Sequence, residues 1–185
     1  MNGKFRFQNI GSGDIELQGT IDKTEVGGID LEIYAGQGFT LGMNARFEYS
    51  ESAVRLTKVK TVKGELHPNE FPFTSYVFRT TIGGFIRGQY LVTSHLGLFT
   101  KGDVGVGPYI TGLAGVTFDG IVQVGIDYYF SDWWGVTASY GYIANYGVET
   151  VASKRKDIKE YLGEKPLFFS ANGNLLLIGL KSTYL

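Results

Sequence analysis

IVQVGIDYYFSDWWGVTASYGYI, residues 121–143, separates into two sets when every second residue is taken. Val122, Val124, Ile126, Tyr128, Phe130, Trp134, Val136, Ala138, Tyr140 and Tyr142 form one set, and Gln123, Gly125, Asp127, Gly135, Thr137, Ser139 and Gly141 make up most of the other. A repeat of two is that of a β-strand, so the stretch predicts two strands joined by a tight turn at 131–133. The uncharged, aromatic set faces either a protein core or an apolar medium outside the molecule.

The same alternation predicts strands near 4–21, 28–39, 41–50, 76–92, 96–107, 112–130, 134–146 and 173–185, eight in all. In the first three the apolar positions are odd, from Phe5, Phe7, Ile15, Leu17 and Ile21 to Phe47 and Tyr49; in the others they are even, from Phe78, Ile82 and Ile86 to Ile178 and Leu180. That face carries no charge. The opposite face carries Lys4, Arg6, Arg46, Arg79, Arg87, Lys101 and Lys181 against Asp14, Glu16, Asp30, Glu32, Glu48, Asp103, Asp119 and Asp127. Tight connections near 39–41, 93–95 and 131–133 alternate with longer ones near 22–27, 51–75 and 147–172, the connection near Pro108 being the exception; a meander would therefore gather the tight turns at one end. The one expected helix, KRKDIKEYL at 154–162, lies inside a long loop.

Composition narrows the classes. The 185 residues suit one domain spanning 1–185, and 17 basic against 18 acidic side chains give a net charge of −1, which argues against nucleic acid as partner. Without cysteine there is no disulfide framework or thiol nucleophile, and His67 and His95 alone cannot build a His-rich zinc site; no metal or cofactor is expected. No run reaches the ~18–20 apolar residues of a membrane helix. MNGKFRFQ has no signal-like apolar core, so the expected outer-membrane localisation requires a signal already removed.

Three features turn the apolar face outwards. Long charged side chains interleave with glycines such as Gly36, Gly42, Gly83, Gly105 and Gly125, a composition suited to a narrow interior. Aromatics gather at strand ends, namely Phe39, Phe130, Trp133, Trp134 and Tyr184, where an interfacial girdle belongs. Short turns at one end and long loops at the other complete the pattern. The expected fold is all-β, an eight-stranded antiparallel up-and-down transmembrane β-barrel. A soluble ligand-binding β-barrel is the alternative that turns the same faces the other way.

The stretch VGIDYYFSDWWGVTASYGY, and more weakly GLFTKGDVGVGPY and GLKSTYL, resembles the small bacterial outer-membrane barrels of the OmpA, OmpX/Ail and OmpW superfamily. The family usually closes on an aromatic residue, whereas this chain closes on Tyr184-Leu185. The resemblance implies a monomer in outer-membrane lipid whose loops serve adhesion, envelope integrity or contact with lipopolysaccharide and host factors. It offers a narrow passive conduit for small, apolar solutes as the second function.

Candidate chemistry is sparse. An eight-stranded interior holds side chains rather than a channel, so Glu32, Arg46, Glu48, Arg79, Arg87 and Asp127 are expected to form a buried charge network. Lys154, Arg155, Lys156 and Lys159, joined by Lys58, Lys60 and Lys63, are candidates for lipid-phosphate contact. His67, beside Glu65 and Glu70, reads as a solvated loop histidine, Ser94 and His95 fall in a tight turn at the end away from the long loops, and GVGPYITGLAG lacks the lysine of a phosphate-binding loop. No catalytic residues are expected.

Overall fold

The computed structural model describes residues 2–9, 15–36, 38–51, 54–72, 76–110, 113–149, 156–163 and 166–182. The chain is all-β. Its strands are β1 (Asn2–Asn9), β2 (Glu16–Ile21), β3 (Glu25–Gly36), β4 (Phe39–Ser50), β5 (Val54–Thr61), β6 (Gly64–Leu66), β7 (Val77–Leu91), β8 (Leu96–Ile110), β9 (Ala114–Tyr129), β10 (Trp134–Glu149) and β11 (Leu167–Ser182). A short helix, α1 (Lys156–Leu162), precedes β11.

All eleven belong to one antiparallel sheet in the order β3-β4-β7-β8-β9-β10-β11-β1-β2-β5-β6, and the ladder is not closed. The sheet is nevertheless coiled on itself: Lys101 of β8 reaches Asp30 of β3 at 2.6 Å, and Lys181 of β11 reaches Glu32 of β3 at 3.6 Å. A division of the first expected strand and two strands within the 51–75 loop account for eleven strands where eight are expected. β2 stops at Ile21 and β3 starts at Glu25 running the same way, and β4 stops at Ser50 before β5 starts at Val54. The expected first strand is itself two, β1 and β2, and the 51–75 loop contains β5, β6 and a 3-10 turn.

The sharp connections use turn chemistry legible in the sequence. Gly38 sits at φ 74, a left-handed position that favours glycine, and closes β3 onto β4; the turn thus falls just before 39–41. Thr93 and Ser131 act alike: each hydroxyl oxygen accepts from the backbone N–H two and three residues on, at 3.0–3.3 Å, shaping the β7–β8 and β9–β10 turns.

The expected separation of faces holds along β4, β7, β8, β9 and β10, where Leu41, Met43, Ile82, Ile86, Val104, Val122, Ile126, Tyr140 and Tyr142 are exposed and the charged set is turned in. It reverses at β1 and β2. Phe5, Phe7, Ile15, Leu17 and Ile21, expected on the outer apolar face, are buried in the main apolar cluster, and Lys4, Arg6 and Gln8 point to the outside. The alternation is present there but faces the opposite way, because period two has no sign of its own. That cluster also takes in Val54, Val59, Phe71, Tyr109, Leu113, Leu162, Leu167 and Phe169, so the long-loop end of the molecule has a packed apolar core.

Candidate functional site

The interior beside the tight-turn end is lined by charges that satisfy one another. Nearest that end, Arg87 pairs with Asp127 Oδ2; the same oxygen takes Lys181 at 3.3 Å and the Tyr129 hydroxyl at 3.1 Å. Gln89 donates to the Tyr129 oxygen at 3.0 Å. One layer further in, Arg46 pairs with Asp103 and lies 3.4 Å from Asp119. Gln123 donates to Asp103 at 3.0 Å, Ser139 to Gln123 at 2.8 Å, and Thr81 to Asp119 at 3.1 Å. Towards the loops, Arg79 meets Glu48 at 2.5 Å, and Thr24 donates to the same carboxylate at 2.8 Å.

Of the six residues singled out from the sequence, the structure joins Glu48 to Arg79 and Arg87 to Asp127 directly. Arg46 turns instead to Asp103 and Asp119, and Glu32 to Lys181. Asp30, Lys101, Asp103, Asp119 and Lys181 were placed on this face by alternation, yet their pairing depends on register between strands far apart in sequence. No single-strand pattern encodes it.

The glycines have a more specific use than general crowding relief. Gly42 is the direct cross-strand partner of Phe85, and Gly125 of Phe99. A Cβ on Gly125 would lie 2.5 Å from the Phe99 ring, so each phenyl lies flat over the backbone of its glycine partner. A cation then covers each ring: Arg87 is 3.8 Å from the Phe99 centroid and Lys101 4.4 Å from that of Phe85. Burial of these cations is thus offset by carboxylates on one side and a π-face on the other.

Above the charged layers the interior becomes apolar. Tyr109 stacks on Phe169 at 4.7 Å, and Phe7 lies 4.8 Å from Phe169. α1 seats Leu162 in this core, and Tyr161 meets Phe71 edge-on at 5.7 Å. Lys63 pairs with Glu160 and sits 4.8 Å over the Tyr161 ring, so the two long loops are fastened to each other.

On the outer surface of this end Glu16 lies between Arg6 and Lys58, the latter at 2.8 Å. Hydrogen bonds from Lys58 first, then Gln18, and the nearby Arg6 hold its carboxyl down at about 2. The remaining candidates scatter. Lys156 is exposed and Lys159 half-buried on α1, whereas Lys154 and Arg155 lie outside the described residues. Phe39, Phe130, Trp133 and Trp134 are all exposed at the tight-turn end; Tyr184 lies outside the described residues.

His67 turns out to be a cap: its Nδ1 accepts from Asn69 N at 3.4 Å, and Glu70 accepts from His67 N at 3.3 Å, fastening the 3-10 turn at Pro68–Glu70. Among the described residues no group of three or more His, Asp or Glu is placed to hold a metal ion. The interior charges named above pair with one another, an arrangement that fills and rigidifies that part of the interior.

Comparison with known proteins adds nothing to this geometry: no family model, curated protein or solved structure matches the chain.

Proposed function

We propose that this chain is an integral outer-membrane protein, a non-enzymatic β-barrel that sits in lipid by its tight-turn end and holds its loop end in water. One observation carries the reading. Some three dozen large apolar side chains are exposed, most of them on the outer face of β4 and β7 to β11, while charges of both signs are buried behind them. A water-soluble protein reverses that arrangement, and lipid requires it.

The finer architecture follows from the two short interruptions. Counting β2 with β3 and β4 with β5 as single kinked strands, and setting aside the three-residue β6 that pairs only with β5, leaves eight around the coil: β1, β2/β3, β4/β5, β7, β8, β9, β10 and β11. The kinks divide two zones. On β3 and β4, below them, apolar side chains face out; on β1, β2 and β5, above them, Lys4, Arg6, Arg55 and Lys60 face out and the apolar ones turn in. That change of sign along one strand marks where hydrocarbon gives way to water.

Within this reading the loop end is the presenting surface, with Lys156 and Lys159 of α1 available to lipopolysaccharide phosphates and Lys154 and Arg155 next to them in sequence. Replacing all four with Gln should weaken binding to lipopolysaccharide micelles. The filled interior speaks against the conduit: paired charges and the Phe7–Tyr109–Phe169 stack occupy the space that a solute would need.

The deciding experiment is refolding into detergent micelles, with boiled and unboiled samples compared on a denaturing gel. A heat-sensitive mobility shift, together with insolubility when detergent is withheld, is the expected result. A monodisperse protein in plain buffer would overturn the proposal and make the exposed apolar band a protein interface.

A further inference from the structure

β1, β2 and β5 carry five basic side chains, Lys4, Arg6, Arg55, Lys58 and Lys60, against one carboxylate, Glu16. The chain as a whole carries −1, so this excess is local. Glu16 is shared between Arg6 and Lys58, whose side chains stay 50% and 42% exposed, and two cations on one carboxylate leave a positive charge over. Lys4 is exposed and pairs with no carboxylate among the described residues.

Strand register sets neutral hydrogen-bonding groups beside these cations. Lys4 lies between Thr20 of β2 and Asn172 of β11, and Arg6 between Gln18 and Ser170. Opposed residues of an antiparallel pair point to one face, so these six form a single outward patch. Thr20, Ser170 and Asn172 make no side-chain hydrogen bond among the described residues. Along the outer face of β11 the character then changes: Ser170, Asn172 and Asn174 are followed by Leu176, Ile178 and Leu180, all three exposed. Tyr142 and Tyr140 of β10 stand opposite Asn174 and Leu176, bordering the change with phenol rings. From Leu176 to Leu180 the strand runs about 13 Å, close to the depth of one leaflet of a ~30 Å hydrocarbon core.

We propose that this strip binds one anionic lipid through its phosphate headgroup, with the phosphate on Lys4 and Arg6 and an acyl chain along Leu176, Ile178 and Leu180. The inference rests on the membrane reading and gives it a ligand and a place, apart from the lysines of α1. A guanidinium offers phosphate two parallel N–H groups and an ammonium a compact charge, while Asn172, Ser170 and Thr20 supply neutral donors around them. A water-soluble phosphate compound would use only the upper half of the strip. The apolar half, continuous with it on the same strand, singles out a lipid.

The test uses the full chain refolded in neutral detergent micelles, its fold checked by heat-modified mobility, and native mass spectrometry after addition of phosphatidic acid or of phosphatidylcholine with the same chains. One phosphatidic acid should be retained per chain, well above phosphatidylcholine, and excess glycerol phosphate, a headgroup without chains, should not displace it. Lys4→Glu, which leaves Arg6, Glu16 and Lys58 in place, should lower retention about 10-fold. Lys4→Arg should keep it, and Lys156→Gln with Lys159→Gln should leave it unchanged. Bromine on the acyl chain should quench a fluorophore on Ile178→Cys more than one on Val104→Cys, on the outer face of β8. In a chain that is heat-modifiable in micelles, equal retention of the two lipids, indifference to Lys4→Glu, displacement by glycerol phosphate, or equal quenching at the two positions would each overturn the proposal and leave the membrane reading intact. If the chain folds in plain buffer instead, vesicles containing phosphatidic acid replace the micelles: capture that depends on Lys4 would sustain the site without the membrane reading, and no capture would overturn both.

Discussion

Arg79 and Glu48 are direct partners across β4 and β7, with side chains 9% and 2% exposed. Each is the other's counter-ion, so Arg79→Ala leaves a buried carboxylate with only the Thr24 hydroxyl. The expected loss is about 3–5 kcal/mol, seen as a lowered midpoint in urea titration of the refolded protein. Converting both residues to Met should recover most of it, because a well-packed apolar pair has no desolvation cost. Stability unchanged by Arg79→Ala would mean that water reaches this face. Gly125 gives a steric counterpart: an added methyl meets the Phe99 ring that Arg87 covers. Gly125→Ala should therefore cost about 1–3 kcal/mol, whereas alanine at Gly120, with nothing within 4 Å of the added carbon, should be tolerated.

Among the elements, β9 and β10 are the easiest to read from sequence, since both apolar and polar faces are unbroken and the Ser131 turn is short. β1 and β2 show the limit of that method. Phe5 and Phe7 alternate with Lys4 and Arg6 as cleanly as any pair in the chain, but the side that meets solvent depends on what surrounds the strand. The interior network was legible as a face and illegible as a set of pairs: Arg46 lies 57 residues from Asp103, and Arg87 lies 40 from Asp127. The Gly–Phe pairs were hidden for the same reason, as register across strands decides them. β2 also has a pH dependence of its own. Glu16, held at about 2 against its usual 4.5, binds its proton less readily in the folded state, so its contribution is complete above 4.5 and is lost as pH falls towards 2. Protection factors of amides in β1, β2 and β5, corrected for the intrinsic pH dependence of exchange, should fall as pH drops through that window, and Glu16→Gln should remove the dependence while leaving β9 and β10 unaffected.

For the molecule as a whole, two tryptophans offer a test of the proposed placement in lipid. Trp133 and Trp134 are the only ones in the chain, both exposed in the β9–β10 turn, so fluorescence reports the tight-turn end and nothing else. Indole prefers the boundary between headgroup and hydrocarbon, and Phe39 and Phe130 share that end. In vesicles containing lipids brominated at graded depths, quenching should be strongest for bromine near the carbonyl region and weaker for bromine at the chain ends. The loop end should behave oppositely. A probe on Lys4→Cys, exposed on the outer face of β1, should respond to aqueous quenchers and ignore brominated lipid, because β1, β2 and β5 carry their charges outwards. Lipid quenching at both positions would place the loop-end zone in the bilayer too, which its exposed Lys4, Arg6, Arg55 and Lys60 make costly; aqueous quenching at both would remove the molecule from the membrane altogether.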